Sequence, residues 1–268
     1  MEATICYIAA LSRDPEPLAR FYGQYLGLSE RGRSPEGDIT LTDGVYTLAL
    51  FRLRRELGEP NMAEGWNRIG IAVDSLAETE ARYRAYCPRG TVVRESGALG
   101  HGELRIYDPE CKPISLSERN FGLPRGKQPG LPRIAHMALN ALDPETSFDF
   151  YRTVFGFRDL RLAHAEQFKK PGYRNRHVGD GHSNMAIQAF YNDRPGHEGR
   201  FGIAHIGFLV GDMEGLADRI DGIATVARRP ADRGQSEIRM RDPQGNGCDL
   251  SRRGWEVDTD KWARAEMA

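Results

Sequence analysis

The clearest alternation of apolar and polar positions lies in the second half of the chain. Ile134 to Leu139 is a short apolar run of strand length. Asp143-Pro144-Glu145 follows and reads as a helix start, with Asp143 as the cap and Pro144 in the first turn, where its missing N–H costs nothing. Ser147, Phe148, Tyr151, Val154 and Phe155 then recur at helical spacing, and Gly156 stops the run. A strand is predicted over Ser183 to Phe190. The pattern restarts at Phe201 to Phe208, with a helix at about 212–221 and strands near 223–227, 235–241 and 247–251. This is a βαβββ unit written twice.

The first half carries the same script. Cys6 to Leu11, Asp14-Pro15-Glu16, Phe21-Tyr22 and Gly27-Leu28 match Ala135 to Leu139, Asp143-Pro144-Glu145, Phe150-Tyr151 and Gly156-Phe157 at an offset of 129 residues. Ile69 to Val73 matches Ile206 to Val210 at an offset of 137, and Glu103 to Pro109 matches Glu237 to Pro243 at 134. Offsets that drift this little indicate small loop insertions in a tandem duplication. The expected organisation is one module over 1–118, a Pro/Gly-rich linker over 119–130, a second module over 131–254 and a tail over 255–268 whose Trp255 and Trp262 pack on a module. The fold class is α+β: single helices between runs of strands.

Composition narrows the function classes. Of 268 residues, 37 are Lys or Arg and 38 are Asp or Glu, so no global field recruits nucleic acid or an acidic membrane. No apolar run approaches the length of a membrane span, and the start has no basic stretch leading into an apolar one, so neither a transmembrane helix nor a secretory signal is expected. Cys6, Cys87, Cys111 and Cys248 form no CxxC pair and suit reduced thiols in the cytoplasm. Of the seven histidines only His101 precedes residue 130.

A His on the first strand of the second module, a His on its fifth, and the turn Asp242-Pro243-Gln244-Gly245-Asn246 before Asp249 together resemble the vicinal oxygen chelate superfamily of glyoxalases, bleomycin resistance proteins and extradiol dioxygenases. The resemblance implies two tandem modules, each of paired βαβββ units forming an incomplete barrel around a metal or ligand cavity. It implies metal ligation by His136, His205 and Asp249, with Asp where the family more often has Glu. Two imidazoles and a carboxylate leave open positions on a divalent ion, Fe(II) being favoured, with Mn(II), Zn(II), Ni(II) and Co(II) also suited. Gln188 lies where glyoxalase-like members supply a further ligand. It is expected to line the substrate site together with Ser183 and Phe190. His182 is a candidate general base, and Arg239, in the place of the extradiol Tyr, a candidate clamp for a substrate carboxylate. Basic residues over 158–179 suggest an anionic substrate, with His164, His177 and His197 as exposed loop residues.

At the matched positions of the first module stand Tyr7, Arg68, Ser115 and Phe51, which form no metal site. A metal-free module ahead of a metal-bearing one is the plan of two-domain extradiol dioxygenases. The expected function is therefore a divalent-metal-dependent enzyme, dioxygenase-like, acting on a small oxygen-rich anionic molecule. A glyoxalase-type isomerase or lyase, and a metal-free antibiotic-binding protein, are the alternatives. A small molecule is the expected partner, with no nucleic acid or membrane; a homodimer is left open.

Overall fold

The computed structural model describes residues 3–54, 63–125, 130–160, 175–190, 202–230 and 236–255. Two eight-stranded mixed sheets account for them. The first holds β1 (Ala3–Ser12), β2 (Ser29–Arg33), β3 (Ile39–Thr42), β4 (Thr47–Arg52), β5 (Gly65–Val73), β6 (Val93–Arg94), β7 (Leu104–Tyr107) and β8 (Pro113–Ser117), in the order β2-β3-β4-β1-β5-β8-β7-β6. The second holds β9 (Arg133–Ala141), β10 (Arg158–Asp159), β11 (Arg176–Gly179), β12 (Asn184–Ala189), β13 (Gly202–Leu209), β14 (Thr225–Arg228), β15 (Ile238–Arg241) and β16 (Gly247–Ser251), in the corresponding order. Four helices, α1 (Glu16–Leu26), α2 (Leu76–Tyr86), α3 (Pro144–Phe155) and α4 (Met213–Ile220), each follow the first strand of a βαβββ unit. The sheets do not close into barrels, and the unit expected twice per module is present twice in each.

Local chemistry sets the helix ends. The Asp143 side chain accepts from the backbone N–H of Glu145 and Thr146, and Asp212 accepts from Gly215, so each closes an otherwise unpaired first turn. Gly156 and Gly27 end α3 and α1 in the left-handed conformation, at φ 74° and 68°. The strand expected over 183–190 runs from Asn184 to Ala189. That expected over 235–241 is seen from Ile238 to Arg241, and that over 247–251 as Gly247–Ser251.

The modules meet in a seam with internal two-fold symmetry. Tyr22 on α1 donates its hydroxyl to Asp242 at 2.8 Å, and its counterpart Tyr151 on α3 faces Asp108, the counterpart of Asp242, at 3.4 Å. The backbone N–H of Ile5 donates to Asp180 at 2.6 Å, and that of Ile134 donates to Asp43 at 2.8 Å. Tyr46 and Ser183 occupy matched positions and hydrogen-bond to each other, which puts them beside the axis. α2 packs on α3, and α1 on α4. These reciprocal pairs have the form of an isologous dimer interface within one chain. One continuous apolar core runs across the seam, including Ile71, Tyr83, Phe150 and Phe208. Among the described residues no helix is long and apolar enough to cross a membrane, and all four cysteines are free.

Candidate functional site

Strand register assembles one row of side chains across the second sheet. Asn184 on β12 pairs with His136 on β9, His136 with Gly207 on β13, Gly207 with Asp249 on β16, and Asp249 with Arg239 on β15. Residues directly opposite one another in a sheet share a face. His205 sits two pairs along, opposite Ala138, and so on that same face. Gly207 at the centre has no side chain because that space is taken: a Cβ there would lie 2.5 Å from the Trp255 ring and 2.8 Å from the His136 Cβ. Trp255 stacks on the His136 ring with centroids 4.6 Å apart and planes 6° from parallel. Its indole N–H donates to Ser236.

His136, His205 and Asp249 are all buried, at 3%, 5% and 2% exposure. The two imidazole centroids are 5.4 Å apart. His136 Nδ1 meets the Asn184 side-chain oxygen at 2.9 Å. An amide oxygen only accepts, so this contact assigns the proton to Nδ1 and leaves the lone pair on Nε2. Burial, reinforced by His205, pushes His136 well below the usual histidine range, so the ring is neutral. His205 Nε2 lies 3.2 Å from Asp249 Oδ2. Arg239 forks onto the same carboxylate through Nε at 2.9 Å and Nη2 at 3.3 Å, and Arg229 approaches both oxygens at 3.4 Å. Burial alone would raise Asp249, but His205, Arg239 and Arg229 hold it well below the usual carboxylate range.

The donor types suit a divalent ion, since two close imidazoles and an ionised carboxylate share one buried face. The arrangement carries one feature of its own: the charge a metal would supply at Asp249 is already supplied by two guanidiniums. Among the described residues no three His, Cys, Asp or Glu side chains converge as a ready-made metal group. An ion at Asp249 would therefore compete with Arg239 for the carboxylate, and the Arg239 side chain, 41% exposed, has room to move.

The other expected site residues fall in different places. Gln188 is half-buried on β12, on the face of Asn184 and four pairs along. Phe190 is half-buried just past the end of that strand. Ser183 is buried, but its hydroxyl is committed to the inter-module seam through Tyr46 and Ile5, not to a substrate surface. His182 is exposed in the turn before β12, with its backbone N–H on Asp180, so the structure gives it no contact with the two buried imidazoles. His177 departs from the expected exposed loop: it sits on β11, where burial pushes it down to about 4 and Asn184 is its partner. The residues 161–174, His197 and Trp262 lie outside the described residues. Arg229, Asn184 and Trp255 were not singled out as site residues in the sequence.

The first sheet repeats the row with other chemistry. Arg105, Ser115, Gly70, Tyr7 and Thr47 stand in register. Phe121 stacks on Tyr7 at 4.4 Å, and a Cβ on Gly70 would strike both rings. Phe121 is thus the counterpart of Trp255, 134 residues earlier. The ion cluster recurs with its signs moved. Glu95 accepts from Arg68 at 2.9 Å and from Ser115 at 3.2 Å, and lies 3.2 Å from Arg105. At an offset of 134, Glu95 takes the place of Arg229, Ser115 that of Asp249 and Arg105 that of Arg239, while Arg68 replaces His205.

Comparison with known proteins agrees with this geometry. Residues 133–250 match the model of the Glyoxalase/Bleomycin resistance protein/Dioxygenase superfamily. The second module belongs to that superfamily, and the first repeats its fold in tandem. Solved structures share the fold over nearly the whole chain. The 2,3-dioxygenase LapB from Pseudomonas sp. KL28 is 17% identical, with 96% of this chain and 94% of that chain covered and a TM-score of 0.69. The Mn(II)-bound glyoxalase from Novosphingobium aromaticivorans is 18% identical, with 96% and 84% covered and a TM-score of 0.69. The 2,2',3-trihydroxybiphenyl 1,2-dioxygenase from Sphingomonas wittichii strain RW1 is 14% identical, with 98% and 94% covered and a TM-score of 0.61. No curated protein gives a match to the sequence.

Proposed function

We propose that the chain is a divalent-metal-dependent enzyme of the vicinal oxygen chelate type, acting on a small, oxygen-rich, anionic molecule at the concave face of the second module. The observation that carries this reading is the burial of His136, His205 and Asp249 together on one face of the second sheet. His136 and His205 would hold the ion through neutral imidazole nitrogen, with Asp249 as the third ligand. When bound, such an ion supplies Lewis acidity toward two adjacent substrate oxygens, in a dioxygenation or in a proton-transfer or bond-cleaving reaction. Asn184 fixes the His136 tautomer, as outer partners of ligating histidines do. Trp255 covers one face of that ring and keeps water from it. Arg239 holds Asp249 while the ion is absent and, once released, stands beside the site as a guanidinium suited to a substrate carboxylate.

Metal analysis after anaerobic loading with Fe(II) or Mn(II) tests this. About one equivalent per chain is expected, falling below about a tenth in His136→Ala, with tighter binding in Arg239→Gln because a competing cation is gone. Wild-type loading below about a tenth of an equivalent, unchanged in Arg239→Gln, overturns it. Oxygen uptake with a catechol panel separates dioxygenase from isomerase or lyase chemistry.

The double guanidinium on Asp249 favours a second reading, a metal-free module that binds and sequesters an anionic small molecule. Stoichiometric binding without metal or turnover would select it.

A further inference from the structure

Asp249 is shared by three basic side chains. Arg239 forks onto it through Nε and Nη2, Arg229 approaches both oxygens, and His205 Nε2 lies 3.2 Å from Oδ2. The two arginines are held differently. The Arg229 side chain is 12% exposed and the Arg239 side chain 41%. Among the described residues Arg239 meets no other carboxylate: Glu237, two residues earlier, accepts instead from the backbone N–H of Arg252. When Arg239 swings outward, Asp249 keeps Arg229 and His205, and the Arg239 guanidinium gains water. The movement strands no buried charge, which removes most of the usual penalty for opening a buried ion pair.

The matched arm of the first module is enclosed. The Arg105 side chain is 9% exposed and faces Glu95, which also accepts from the buried Arg68. Asp249 is replaced there by Ser115, whose hydroxyl donates to the same Glu95. An exposed guanidinium over a buried carboxylate on the central row therefore belongs to the second module and not to the repeated fold. It ties two binding events together. A divalent ion would compete with Arg239 for Asp249, and an organic carboxylate would compete with Asp249 for Arg239. Each ligand displaces the other's competitor. Their affinities are then linked, equally in both directions.

We propose that Arg239 is an exchangeable latch that makes uptake of the divalent ion and binding of a small organic carboxylate reinforce each other. The latch closes on Asp249 when neither ligand is bound and turns to the carboxylate when both are. It rests on the reading of His136, His205 and Asp249 as the metal ligands. Calorimetric titration of the full chain with Mn(II), with and without about 10 mM benzoate at matched ionic strength, tests it. Benzoate should tighten Mn(II) binding about tenfold, and Mn(II) should tighten benzoate binding by the same factor. In Arg239→Gln, Mn(II) should bind tighter than in wild type without benzoate, and benzoate should add nothing. Wild-type Mn(II) affinity unmoved by benzoate, or a gain that persists in Arg239→Gln, overturns the latch and leaves the metal site standing. Absence of Mn(II) binding to wild type, with and without benzoate, overturns the metal reading and the latch with it.

Discussion

Gly70 and Gly207 show how one missing side chain organises each module. At both, the space of a Cβ belongs to a stacked ring pair, Tyr7 on Phe121 in the first sheet and His136 on Trp255 in the second. Gly70→Ala and Gly207→Ala should each cost about 1–3 kcal/mol by overpacking, read as a lower urea midpoint with an unchanged slope. Wild-type stability in Gly207→Ala would mean that Trp255 leaves the ring at no cost. The buried Arg68–Glu95 pair makes a stronger prediction. Glu95→Ala leaves two buried guanidiniums without their shared carboxylate and should cost about 3–5 kcal/mol, far more than Arg33→Ala at an exposed pair. The repeat made His136, His205 and Asp249 legible as a set, because matched positions in the first module carried unrelated residues. It hid Trp255 and Arg229. Phe121 and Trp255 stand beyond the last similar segments, and Glu95 and Arg229 are opposite in charge, so similarity could not pair them.

At the scale of elements, the best read were those with chemical signals at their ends. Asp143, Pro144 and Gly156 marked α3 at both termini, and its observed range, Pro144–Phe155, follows them. Asp143→Ala removes the side-chain acceptor of that first turn and should lower stability by about 1 kcal/mol, measured by thermal or urea melting; no change would mean that water caps the turn as well. The two-residue strands β6 and β10 have no period to detect, and only pairing with their neighbours defines them. His177 was misread for a related reason. Its stretch is rich in Arg and Lys and looks like a solvated loop, yet four of its residues form β11, and alternation turns His177 toward the Asn184 face.

For the whole molecule, the seam is the part least visible in sequence, since it depends on how two finished sheets dock. Its four carboxylates, Asp43, Asp108, Asp180 and Asp242, form two symmetry-matched pairs, and burial raises all four above the usual range. A raised folded value means the folded chain holds more protons than the unfolded one above the unfolded value of about 3.9. Their contribution to stability therefore declines as pH rises from about 4 through those raised values. Asp38 and Asp249 are shifted the other way, and the stability they give is lost only as pH falls below about 4. Urea midpoints followed upward from about pH 4 should drop less steeply in Asp43→Asn/Asp180→Asn than in wild type; equal slopes would place the proton uptake elsewhere.

The two-fold seam also changes the reaction order of assembly. Free modules of this kind would have to find each other by collision, and dilution would separate them. Joined by a linker of a dozen residues, each meets its mate at an effective concentration in the millimolar range. Docking of the halves is then a unimolecular event, so it should add no dependence of the melting temperature on protein concentration.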